Sequence, residues 1–66
     1  FRRVLFRSLA RALLNDAQPT VRAACANALG LRRDPSSRQW LERSASLDAE
    51  PAVRAASTAA LAALSP

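Results

Sequence analysis

Apolar side chains recur along this chain at steps of three, four and seven residues. Between 19 and 29 they are Val21, Ala24, Cys25, Ala28 and Leu29; between 51 and 64 they are Val53, Ala56, Ala60, Leu61 and Leu64. Over 9–15, Leu9 and Leu13 share a face, with Leu14 beside them and Ala10 and Ala12 between. Over 35–47, Trp40, Leu41, Ser44, Ala45 and Leu47 fall near one side. Such steps gather side chains on one face of a 3.6-residue helix. Nowhere does a β-branched run alternate as a half-buried strand would.

The breaks between these segments carry start and stop residues. Pro19 suits the first position of a helix, where its missing N–H costs nothing, and Asp16 ahead of it can accept from the free N–H groups of the turn. Gly30, the single glycine of the chain, is a natural stop. Asp34 before Pro35 is a second start, and Ser36 with Gln39 resembles a capping box. Pro51 opens the last helix, which Ser65 and Pro66 close. The reading is four helices over 9–15, 19–29, 35–47 and 51–64, in two pairs whose short turns make each pair antiparallel.

Two of these segments are nearly the same text. DAQPTVRAACANALG at 16–30 returns as DAEPAVRAASTAALA at 48–62, a constant offset of 32. Asp16, Pro19, Val21 and Arg22 recur as Asp48, Pro51, Val53 and Arg54. A fixed period in this range marks a repeat architecture. The fold class expected is therefore all-α: an α-solenoid fragment of two antiparallel helix pairs, with repeat units 9–33 (its first helix truncated) and 34–66 (terminal in character).

The pattern D-x-x-P-x-V-R-x-x-A-x-x-A-L, at Asp16–Leu29 and again at Asp48–Leu61, resembles the HEAT repeat, most of all its short bacterial form known as phycobilisome-lyase-like. The resemblance covers residues 9–64. It implies an armadillo-like helical stack in which Asp16, Arg22, Asp48 and Arg54 are structural residues that support the turns and the contacts between repeats. Two departures stand out. Gln18 and Glu50 occupy a place where a capping Asp is common. Ala62 replaces the glycine expected after Leu61, so the last helix is expected to run on.

Residues 1–8, FRRVLFRS, resemble a sequencing-adapter oligonucleotide translated in one frame, as met at the ends of reading frames from metagenomic fragments. This changes the charge picture. The formal net charge is +5, from ten arginines and five acids. Without Arg2, Arg3 and Arg7 it falls to +2, and the case for nucleic acid weakens. On this reading the segment is not native and the natural protein extended further upstream.

What chemistry the remainder can hold is limited. There is no histidine, so His-based acid–base catalysis and triads are excluded from these residues. One cysteine allows no internal disulfide, and no zinc ligand set accompanies it. A single glycine allows no phosphate-cradling loop. No run of about 18 apolar residues is present. The expectation is no enzyme, no cofactor and no membrane span, with a cytoplasmic location. Arg32, Arg33, Arg38 and Arg43 form a modest basic cluster and a possible binding surface.

The function class that fits is a protein–protein interaction scaffold. Its partners would be another protein and neighbouring repeats of the same parent chain. The alternative is a non-catalytic accessory segment of an enzyme, of the bilin lyase or tRNA-modifying reductase type. Nucleic-acid binding is the weakest of the three, for want of a dense basic groove.

Overall fold

A computed structural model describes the backbone of residues 2–64 and the side chains of residues 7–64. The chain forms α1 (Arg2–Asn15), α2 (Pro19–Arg32), a 3-10 turn (Pro35–Ser37), α3 (Arg38–Leu47) and α4 (Pro51–Leu64). Helices α1 and α2 make one antiparallel pair, α3 and α4 the other. The pairs stack side by side, with α2 on α4 as the largest contact and α1 touching α3 only lightly. The result is a slab of two helical layers, 28 × 26 × 15 Å.

The core is small because the residues that build it are small. Leu13, Leu29, Leu41 and Val53 are fully buried, and Cys25, Ala26 and Ala60 lie among them. Leu9, Trp40, Leu61 and Leu64 pack against this cluster from its margins. Alanine at so many contact positions lets helix axes approach closely, which maintains packing density where side-chain volume is low.

Helix α2 departs from the sequence reading at its end and around its girth. It runs through Gly30 to Arg32, and the stop is Arg33, in the left-handed conformation (φ 54°, ψ 33°), whose N–H bonds to the Gly30 carbonyl at 3.2 Å. The cause lies downstream. Asp34 precedes a proline and is extended (φ −86°, ψ 117°), as that position requires. The turn must therefore be made at Arg33. Gly30 instead sits buried against α4. A Cβ built on it would lie 2.9 Å from both Cα and Cβ of Ala60, so the glycine is there for close approach. The buried arc is also turned: Ala26 and Gly30 are inside, Val21 and Ala28 are half-buried, and Ala24 is exposed. A helix packed on two neighbours buries a wider arc than a single stripe predicts.

The second pair differs in two details. The segment from Pro35 begins as a 3-10 turn, capped by Asp34, which accepts from the Ser36 N–H (2.9 Å) and hydroxyl (2.7 Å). Ser36 thus serves the cap as a donor. Leu47, expected to face inward, is 72% exposed. It ends α3, where the chain turns away toward Pro51.

Candidate interaction surface

Each repeat opens its second helix from the same turn. The Asp16 carboxylate accepts the Gln18 N–H at 2.9 Å, and the Asp48 carboxylate accepts the Glu50 N–H at 2.9 Å. The side chains of Gln18 and Glu50 are not needed as caps: Gln18, the residue before α2, makes no side-chain cap bond. Pro19 and Pro51 then start helices whose first N–H donors, at Val21, Arg22, Val53 and Arg54, return to the carbonyls of Gln18 and Glu50.

The arginines tie these turns together. Arg22 donates from Nη1 to the Asp16 carbonyl at 2.8 Å, within its own repeat. It also crosses to the other repeat, donating from Nε and Nη2 to the two carboxylate oxygens of Asp48 at 2.8 and 3.1 Å. The fork is bidentate, the geometry in which guanidinium and carboxylate interact most strongly. The side chains are only 15% and 8% exposed, so water screens this pair far less than a surface pair. The Arg22 bonds outweigh desolvation and, helped by the neighbouring Glu50 N–H, hold the Asp48 carboxyl below the ordinary carboxylate range. Arg54 makes the corresponding bond to its own turn, Nη1 to the Asp48 carbonyl at 2.7 Å. Val21 and Val53 precede the two arginines; Val53 is fully buried and Val21 half-buried.

The basic cluster is not one patch. Arg32 and Arg33 are exposed at the end of α2, where Arg32 also favours ionised Asp34, whose carboxyl is lowered chiefly by Ser36. Arg38 and Arg43 are five residues apart on α3, about 140° around a helix. Arg43 therefore belongs to another surface. It lines a cleft of about 200 Å³ between α1 and α3, with Leu13, Leu14, Ser44, Leu47 and Asp48. A second cleft of about 290 Å³ continues it along the same pair of helices, lined by Arg7, Ala10, Arg11, Leu14, Asn15 and Trp40. Leu14 is common to both, so the two adjoin as one shallow groove, mainly apolar at the Trp40 end and more polar at the Arg43 end, with arginines along it.

Two further features were not read from the sequence. Ser57 donates to Ser44 at 2.9 Å inside the α3–α4 contact, with both hydroxyls buried. Their counterparts one repeat earlier are Cys25 and Ala12, so the signal available was a small-residue pair turning polar in step. The other is the groove itself, made by the light contact of α1 with α3. Cys25 is a buried thiol whose pKa is raised by that burial, which keeps it protonated and unreactive. Among the described residues no group of three metal-ligating side chains occurs, and no helix is long and apolar enough to cross a membrane.

A family model described as HEAT repeats matches residues 6–65. No curated protein and no solved structure matches the chain.

Proposed function

Since the chain belongs to the HEAT-repeat family, we propose that it acts as a non-catalytic scaffold for protein–protein interaction, binding its partner in the groove between α1 and α3. The observation that supports this is the make-up of that groove: half-buried Leu14 and Trp40 along the floor, Leu47 exposed at the rim, and Arg7, Arg11 and Arg43 beside them. The one acid that lines it, Asp48, is already occupied by Arg22. Such a surface suits a segment that carries both acidic and apolar side chains, the apolar ones supplying contact area and the acids register. The Arg22–Asp48 joint fixes the two repeats relative to each other, so the groove is presented without an ordering cost.

Trp40 is the sole tryptophan and reports on the groove directly. A leucine-bearing acidic peptide is expected to change its fluorescence saturably. The variant R11E/R43E is expected to weaken that binding at least tenfold while retaining the helical circular dichroism of the parent. An equal response to a basic peptide of the same length, or unchanged binding by the variant, would refute the groove as the site.

A further inference from the structure

The joint between the repeats has two halves, and the molecule carries a spare copy of each. On the α4 side, Arg54 binds its own turn through Nη1, and among the described residues its Nε and Nη2 make no hydrogen bond. These are the two atoms that Arg22 sends across the joint. On the α2 side, Asp16 holds its own turn through Oδ1, as Asp48 does, and receives no arginine fork. Burial tells the same story. Val53 and Ala60, inside the joint, are 0% and 4% exposed, whereas their counterparts Val21 and Ala28 are half-buried. Ala26 and Gly30 are buried in the joint, whereas their counterparts Thr58 and Ala62 are exposed.

A second copy of this chain, shifted by one repeat, would thus bring Arg54 to Asp16 with matched charge and matched turns. Leu61 would stand where Leu29 stands. Two positions spoil the match. Ala26 is fully enclosed, and Thr58 puts a larger, branched side chain in its place. Gly30 lies so near Ala60 that an added Cβ would come within 2.9 Å of its Cα and Cβ. Ala62 carries that Cβ, and in a stacked copy it would meet Ala28. Contacts of that length with backbone do not relax by turning a side chain.

We infer that the outer faces of α4 and α2 are complementary halves of a head-to-tail self-association joint, held open by the bulk of Thr58 and Ala62. The fit is heterologous, one face against a different face, so an association that forms there adds copies without closing. The fit is opposed by steric bulk alone, while the charges remain complementary. This inference is independent of the α1–α3 groove, which lies on the other layer's surface.

The test uses the full chain and the variant T58A/A62G, followed by sedimentation velocity across a broad concentration range. Both residues are exposed, and circular dichroism verifies that the helices persist. The wild type is expected to remain a 7.1 kDa monomer. The variant is expected to gain mass steadily with concentration, without a plateau at the dimer. Adding R54A to it, or raising the salt, is expected to return it to monomer. A variant as monomeric as the wild type overturns the inference, as does association that survives R54A. So does a wild type that already associates through Arg54. G30A supplies an independent check, because it puts the same methyl group into the internal joint. Its melting temperature is expected to fall clearly below that of the wild type; unchanged stability would show that the joint tolerates a Cβ and would sink the proposal.

Discussion

Asp48 is the residue on which most of the polar structure converges. Its carboxylate takes the Arg22 fork and the Glu50 N–H, and its carbonyl takes Arg54. The carboxyl is lowered in the folded chain, so the native state resists its protonation more than the unfolded chain does. Stability from this group is therefore fully present above the ordinary Asp value of about 4 and is lost as pH falls through the lowered one. In urea titrations D48N is expected to be less stable than the wild type near neutral pH and to lose less on acidification. A smaller acid slope remains in the variant, because Asp34 is also lowered, by Ser36. Acid profiles of equal slope for the two proteins would contradict the assignment. The doubled Asp and Arg were legible from the repeat period, but which Asp each Arg grips was not. That depends on a crossing between residues 26 apart, which spacing along one helix does not report.

Helix α2 shows where element boundaries escape a local reading. Gly30 looked like a stop because glycine so often ends helices, yet the helix continues and the left-handed turn falls on an arginine. The decision is made by Pro35, through Asp34, and by Ala60, which needs the glycine where it is. An L-residue in this conformation costs about 1 kcal/mol that glycine does not. R33G is accordingly expected to hold stability or raise it by about 0.5–1 kcal/mol, measured by chemical denaturation. A loss of more than that amount would mean that the Arg33 side chain makes a stabilising contact. The buried arc of α2 escapes a local reading for a similar reason. Ala24 and Ala26 are indistinguishable by hydrophobicity, and only the position of α4 decides which of them is enclosed. Leu47 misleads in the opposite sense: its composition suggests core, and its place at the last turn of α3 leaves it at the rim of a groove.

As a whole, the molecule is a thin slab with, among the described residues, four fully buried large aliphatic side chains. Cores of this size rarely supply more than about 3–5 kcal/mol of net stability. The full chain is expected to unfold within that range. Trp40 fluorescence, which reports on the second repeat, and far-ultraviolet circular dichroism, which reports on all helices, are expected to give one common urea midpoint. In R22A the midpoint is expected to fall and the two probes to separate. Coincident curves in R22A at the wild-type midpoint would show that the fork contributes nothing to coupling. The all-α class and the two-pair architecture were evident from the chain alone because periodicity and proline placement agree at every level. The groove was not, since it is defined by how lightly two helices touch.

The Arg22 fork has one more consequence. It satisfies itself with the carbonyl of one turn and the carboxylate of the next, so melting the second repeat strands the Arg22 donors and melting the first strands the Asp48 carboxylate. The unit that recurs in the sequence is the segment 16–30, written again at 48–62 with a period of 32. The unit of melting is a different segment, running from one turn across to the next and centred on the boundary between those blocks. Duplicating the first block would therefore add a joint with Ala26 and Gly30 already in place, whereas duplicating the second would set Thr58 and Ala62 into the new joint, where an added Cβ has no room.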